Sequence, residues 1–386
     1  MACKRVYFKG LNGLRFIAAS LVVFHHVAQY KYWAGKPGVW GQDSLFFNFI
    51  DAIGNKAVSL FFVLSGFLIS YLLMQEIERT DTVALRKFYM RRILRIWPLY
   101  FVVVTIALFV LPNFVDIGNW NELLRENFTI TLILHLLILP NLLRATSVQV
   151  VGASQTWSIG VEEQFYVIWP ILMRWFKKSI PQFLVGFIVV KLLIGWLGLV
   201  AYDYVDGSIQ IAIDKFNTVW QLMMIEQMGV GALGAWFLYS NNTKILNAIY
   251  SKTSQIITIT LLIVILLTEG HWYLSKLLEA FVFSSLIMNV SLNDKFPIKL
   301  TSSKFDVLGN MSYGIYMWHT ILIALVIAVF EYIGLDYGFS YNLMVFVLPY
   351  LLTLLISYLS YTYFEKPFLK FKENFMIVKS SSTGKS

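Results

Sequence analysis

Residues 57–75, 96–115, 307–330 and 337–364 contain no aspartate, glutamate, lysine or arginine. No other feature restricts the fold as tightly. A helix needs about 20 apolar residues to cross the roughly 30 Å hydrocarbon core of a bilayer, whereas a helix on a water-soluble core shows a charged face every turn or two. Only 14% of the 386 residues are charged and 58% are hydrophobic, against roughly 25% charged in an ordinary soluble domain. Lipid is therefore the solvent for most of this chain, and the fold class is an all-α, polytopic transmembrane helical bundle. One membrane domain fills residues 1–370, followed by a basic, serine-rich tail at 371–386.

Ten spans are expected, at about 11–30, 55–76, 93–113, 157–175, 180–201, 218–240, 254–269, 272–291, 306–331 and 342–364. With the N-terminus in the cytoplasm, the inside segments hold 22 basic residues and the outside segments 6, the asymmetry of the positive-inside rule. Both termini are thus expected in the cytoplasm. The stretch 127–143 is apolar enough for an eleventh span, but an odd count would carry the basic tail outside; a re-entrant or interfacial segment on the outer side is expected there. Lys4, Arg5 and Lys9 precede an apolar run as in a signal peptide, yet the run contains Arg15, His25 and His26, which favours a retained first span. Cys3 has no partner for a disulfide. The formal charge of +9 follows topology and does not point to nucleic acid.

Titratable groups within a bilayer cost several kcal/mol and mark function by default. Arg15 and His26 are 11 residues apart, about 20° from one helix face and about 16 Å apart along the axis. His25 points about 100° away. Ser158, Glu162 and Tyr166 follow at four-residue spacing and share a face, with Glu163 turned elsewhere, toward headgroups. Helical rise puts Glu162 about 8 Å and His26 about 6 Å below the outer surface, so the carboxylate is expected to orient the imidazole as a general base. Arg92 and Arg95 lie on one face at the cytoplasmic mouth of the third span, where two guanidiniums suit a phosphate; inner-leaflet topology is the plainer explanation of the same charges. Ser65 and Gly66 permit close helix approach. His319 lies near the midplane facing the interior, His135 and His271 near the outer boundary, and Lys191 and Glu226 are placed to form a structural ion pair. No metal site is expected, because no His/Asp/Glu set stands at ligand spacing.

The order and spacing of these pieces resemble the acyltransferase family 3 membrane proteins, which O-acylate bacterial surface polysaccharides, periplasmic glucans and some antibiotics. The resemblance runs from GLNGLRFIAASLVVFHH to SYGIYMWH and the final spans. The family's Arg, ten residues, His pattern is met by Arg15 and His26, its Arg-x-x-Arg by Arg92 and Arg95, and its Ser-Leu-x-x-Glu-x-x-Phe-Tyr by Ser158, Glu162, Phe165 and Tyr166, with Ile159 where Leu is usual. The resemblance implies a catalytic role for His26, an acyl-CoA donor at the arginine pair, acetyl as the commonest group, and a bacterial inner-membrane location. Some relatives carry an added SGNH esterase-like domain; this chain is similar to the stand-alone members.

The resulting expectation is transfer of an acyl group from cytosolic acyl-CoA to a hydroxyl of an extracytoplasmic glycan. CoA would dock at Arg92, Arg95 and Arg15, and His26 with Glu162 would do the chemistry, supported by Ser158, Tyr166, Ser65, Gly66 and His319. A transient acyl-histidine is the mechanistic alternative. The rival class is a secondary transporter of a sugar-like substrate, in which the same residues form a relay; no internal repeat speaks for it.

Overall fold

The computed structural model describes residues 8–36, 45–146, 148–268, 273–335 and 338–378. Among them every regular element is helical. The chain begins with α1 (Leu11–Trp33), α2 (Leu45–Thr80) and α3 (Leu85–Thr105), the last running on through a π turn at Ile106–Val110. Two short helices, α4 (Trp120–Glu126) and α5 (Phe128–Leu136), and a 3-10 stretch at Pro140–Thr146 lead into α6 (Thr156–Trp175). Next come α7 (Ile180–Tyr202), α8 (Gly207–Leu222), α9 (Ile225–Tyr239), α10 (Thr243–Tyr250), α11 (Lys252–Leu267) and α12 (Tyr273–Leu292). The chain closes with α13 (Ser303–Asn310), α14 (Ser312–Tyr332), α15 (Phe339–Leu359), a second π turn at Ser360–Glu365 and α16 (Lys366–Lys372).

Eight helical stretches among the described residues are long and apolar enough to cross a membrane, and nine if the α10–α11 pair, bent by 60°, is one span. The tenth expected span is α6. Its 20 residues rise about 30 Å, but Glu162, Glu163 and Gln164 leave it less apolar than the rest. Its ends nevertheless lie far apart. Trp157, in its first turn, packs under the Arg144 guanidinium, whereas Lys177, just past its last turn, pairs with Asp81 in the α2–α3 connection at 2.7 Å. Phe8 and Val378 line the same cavity, so both described chain ends sit at one end of the bundle, here termed the terminal end. An even number of crossings follows, as ten requires. The 127–143 stretch does not cross: α5 has nine residues, a rise of about 14 Å. It turns Thr131 and His135 inward and leaves Ile130, Ile133 and Leu136 exposed.

Packing separates a buried centre from a lipid-facing rim. Helix α7, apolar apart from Gln182 and Lys191, buries Leu184, Ile188 and Lys191 while exposing Val189, Leu193 and Trp196, as expected where lipid tails solvate the outer face. In the centre α2 lies directly on α9. A Cβ at Gly66 would sit 2.0 Å from the Met228 carbonyl oxygen, and one at Gly231 would sit 2.1 Å from that of Val63. Only glycine at both places allows the two backbones to touch, the small-residue contact by which helices associate without a hydrophobic driving force. This contact brings Ser65, one residue before Gly66, against α6.

Candidate active site

A cavity of about 400 Å³ opens at the terminal end of the bundle. Four elements supply the side chains that matter: α1 gives Arg15, α2 gives Ser65, α3 gives Arg92 and Arg95, and α6 gives Ser158, Glu162 and Tyr166. The three- and four-residue spacings therefore do place these groups on inward faces, and the bundle collects them in one chamber. Gly66, by contrast, serves the α2–α9 contact.

The chamber is cationic. Arg15 donates to Asn12 Oδ1 at 3.1 Å, and Asn12 in turn donates to Asp306 Oδ1 at 2.9 Å, which ties the guanidinium to α13. Arg92 lies over the rings of Phe88 and Tyr166, 5.6 and 5.3 Å from their centres, and its buried Nε has no hydrogen-bond partner. Arg91 is consumed elsewhere: it faces Glu76 Oε2 at 3.4 Å and donates to the Phe375 carbonyl at 2.8 Å. Among the described residues, no carboxylate lies within salt-bridge distance of Arg92 or Arg95. Removing guanidiniums from water without a counter-charge costs several kcal/mol, so such a cluster is stable only where an anion or water completes it. Bidentate donors in this arrangement match phosphate oxygens.

Glu162 belongs to this chamber, and the expected link between Glu162 and His26 is replaced by different partners. The Glu162 carboxylate accepts from Ser65 Oγ at 3.0 Å and Tyr166 Oη at 2.9 Å. Tyr166 is one turn further along α6, so the carboxylate is held on its own helix face and turned toward α2. Equal depth below the surface did not bring the carboxylate and the imidazole together, because depth fixes neither azimuth nor neighbour. Glu163 also departs from expectation: it is buried and accepts from Trp97 Nε1 at 3.0 Å, which locks α6 to α3 and keeps it from the headgroups.

His26 instead meets His319. Both are buried, with His319 Nε2 3.2 Å from His26 Nδ1 and the ring centres 4.8 Å apart. The network assigns the tautomers. His319 Nδ1 is 3.2 Å from the Ile315 carbonyl and His26 Nδ1 is 3.0 Å from that of Val22; a carbonyl only accepts, so both Nδ1 atoms carry hydrogen. His319 Nε2 is then an acceptor, and His26 Nδ1–H is shared between it and Val22. His26 Nε2 is left with its lone pair, as a base requires. His25 points away, as expected; it packs on Gly54 of α2, where a Cβ would lie 2.1 Å from His25 Cγ.

Tyr316 joins the two parts. It lines the cavity, its hydroxyl lies 2.6 Å from Ser158 Oγ and donates to the Gln155 carbonyl at 3.2 Å, and its ring centre is 5.8 Å from that of His319. Sequence reasoning passed over Tyr316 and did not pair His319, although Tyr316 and His319 stand at three-residue spacing on one helical face. Beyond the histidines, toward the opposite end, Tyr30 Oη contacts Ser154 Oγ at 3.1 Å and accepts from Gly152 N at 2.9 Å, while Thr320 Oγ1 lies 2.8 Å from both the Gly152 carbonyl and Gln155 Oε1. These bonds tie residues 152–155 to Tyr30 of α1 and Thr320 of α14. Arg144 stands above Trp157 at 5.7 Å; burial lowers its pKa, and the Tyr316 phenol partly offsets that.

His135, Lys191 and Glu226 have partners away from the cavity. His135 Nδ1 lies 2.8 Å from the Thr131 carbonyl, and His271 lies outside the described residues. Lys191 and Glu226 approach to 3.8 Å, both about 3% exposed, and the lysine also sits 4.1 Å over the Trp220 ring and donates to its carbonyl at 2.5 Å. Among the described residues no group of three His, Cys, Asp or Glu side chains is disposed to hold a metal ion.

A family model described as an acyltransferase domain matches residues 8–362. The chain belongs to that family. Its match covers Arg15, Arg92, Arg95 and the histidine pair. The chain is 25% identical over 95% of its length to a Staphylococcus aureus (strain COL) protein assigned as an O-acetyltransferase, and 25% identical over 99% of its length to the peptidoglycan O-acetyltransferase OatA of Listeria monocytogenes. It is 23% identical over 94% of its length to O-acetyltransferase OatA of S. aureus (strain NCTC 8325). The chain spans 58%, 60% and 57% of the lengths of these relatives. No solved structure matches it.

Proposed function

We infer that this protein is a membrane O-acyltransferase that takes an acyl group, acetyl as the first choice, from cytosolic acyl-CoA and delivers it to a hydroxyl of an extracytoplasmic glycan. The observation that carries this reading is the alignment of an anion chamber at the terminal end with a buried base beyond it, separated by the Ser158–Tyr316 hydroxyl pair. The positive-inside bias of the sequence supports a cytoplasmic position for the terminal end. The CoA phosphates lie among Arg92, Arg95 and Arg15, and the narrow pantetheine arm runs inward toward Tyr316. Arg15 and His26 are separated by about 16 Å of helical rise, too far for one side chain to serve both phosphate and thioester.

In the transfer step His26 Nε2 removes the proton from the acceptor hydroxyl, whose oxygen attacks the thioester carbonyl. The tetrahedral intermediate collapses with breakage of the C–S bond, and the CoA thiolate takes the proton from His26. As positive charge forms on His26, the shared Nδ1–H strengthens its bonds to Val22 and His319. The name of the Listeria relative gives peptidoglycan as substrate; for this chain the proposal extends only to a glycan hydroxyl. A sugar transporter is the less favoured alternative, since a relay would not need the unpaired arginine cluster at one mouth. The test is purified protein with labelled acetyl-CoA and candidate glycans: label should move to glycan with the native protein and not with His26→Ala. Uptake of glycan into vesicles without label transfer would favour the transporter.

A further inference from the structure

The chamber is lined by one lysine, Lys372, in addition to its arginines. Helix α16 and the 3-10 turn after it, Glu373–Phe375, fold across the mouth of the cavity, and Lys372, Glu373, Met376 and Val378 line it. The stretch set apart as a tail in the sequence reading is thus, as far as Val378, part of the chamber wall. Its anchor is Arg91, whose Nη1 donates to the Phe375 carbonyl at 2.8 Å while Nη2 meets Glu76. Glu76 is itself occupied, accepting from the Ala84 backbone N–H at 2.7 Å, and Glu162 is held by Ser65 and Tyr166. The remaining acid, Glu373, is exposed beside Lys372. Five cations therefore face the cavity against three carboxylates.

Arg15 comes from α1 and Arg91, Arg92 and Arg95 from α3, within the bundle, whereas Lys372 comes from the C-terminal segment that Arg91 anchors at the mouth. Coenzyme A presents its negative charge in two places, a diphosphate toward the pantetheine arm and a separate 3′-phosphate on the ribose. With the arm pointing inward, the 3′-phosphate lies on the mouth side.

We propose that Lys372, carried across the mouth by the C-terminal segment, binds the 3′-phosphate of the acyl-CoA donor, while Arg92 and Arg95 with Arg15 take the diphosphate. This rests on the reading of the chamber as the donor site. Burial and the adjacent guanidiniums lower the Lys372 pKa to about 7, so a phosphate beside it restores the full charge of a compact ammonium, whereas the diphosphate calls for planar forks.

The experiment is equilibrium binding of CoA and of 3′-dephospho-CoA to the full chain in lipid nanodiscs. The native protein should bind CoA about tenfold more tightly, the scale of one charge-assisted hydrogen bond. Lys372→Ala should weaken CoA about tenfold and leave 3′-dephospho-CoA within twofold, erasing the preference, and Lys372→Arg should retain most of it. Arg92→Ala should weaken both ligands alike. Unchanged binding of 3′-dephospho-CoA serves as the check that Lys372→Ala folds. If Lys372→Ala weakens both ligands equally, or leaves the preference intact, the assignment of Lys372 is overturned while the donor site stands. Native protein that binds neither nucleotide overturns the donor reading itself.

Discussion

Replacing His319 by leucine tests how the histidine pair acts, because the structure sets both a lower and an upper limit on the loss. The side chain is fully buried, does not line the cavity and has its ring 5.8 Å from that of the cavity residue Tyr316, so donor affinity should not change. What disappears is the acceptor 3.2 Å from His26 Nδ1. In the resting enzyme that bond is neutral, worth about 1 kcal/mol; in the transition state the same N–H belongs to an imidazolium, and such bonds are worth about 1.5–3 kcal/mol. Only the difference slows the chemical step. A gap of about 0.5–2 kcal/mol corresponds to a fall in kcat of roughly 2- to 30-fold. A loss near the ~10⁴-fold seen when a catalytic histidine takes the wrong tautomer is not expected, since Val22 still accepts from Nδ1 at 3.0 Å. His319→Gln, which returns an acceptor near the same place, should recover most of the rate. The assay is label transfer from acetyl-CoA to glycan by protein in nanodiscs, at saturating and subsaturating donor, with thermal unfolding as the check on folding. A change confined to KM, equal losses in Leu and Gln, or a loss of ~10⁴-fold in both would refute the argument, the last by making His319 itself the proton carrier.

Other outcomes are expected on the same grounds. His26→Ala should abolish transfer while membrane insertion persists, and His25→Ala should retain most activity, as only His26 faces His319; equal loss in both would remove the distinction. Arg92→Ala and Arg95→Ala should raise KM for acyl-CoA more than they lower kcat, with lysine restoring only part, because a point charge does not reproduce a bidentate fork; unaltered CoA binding would reduce these arginines to topology anchors. Lys191→Met should cost about 3–5 kcal/mol by stranding Glu226 in the bundle, and the pair Lys191→Met with Glu226→Leu should regain most of it, read as thermal midpoints with kinetics of the folded fraction unchanged.

The membrane class and the set of spans were legible because charge-free runs of helical length leave little choice of solvent. Arg15, Arg92, Arg95, Ser158, Glu162 and Tyr166, which helical spacing assigns to shared faces, line one cavity. What spacing along one helix does not contain is the partner across the bundle. Glu162 and His26 share a depth, yet Glu162 turns to Ser65 and His26 to His319, 293 positions away in the chain. Glu163 was expected at headgroups because its neighbour claimed the inward face; α3 packs against its side too, and Trp97 supplies the donor. The reach of residues 372–378 into the chamber was hidden because a polar, basic segment after a last span has the composition of a tail. Its anchor on Arg91 and its place in the cavity wall show otherwise.

The central claim is that donor and acceptor reach the histidine pair from opposite faces of the membrane. Sealed proteoliposomes of known orientation, checked by protease access to the segment after Lys366, test it directly. Acetyl-CoA should support transfer only when supplied at the face bearing the termini, and glycan only at the other, with neither substrate leaking. Transfer with both substrates supplied at the terminal face alone would contradict the account and make the acceptor a cytosolic precursor.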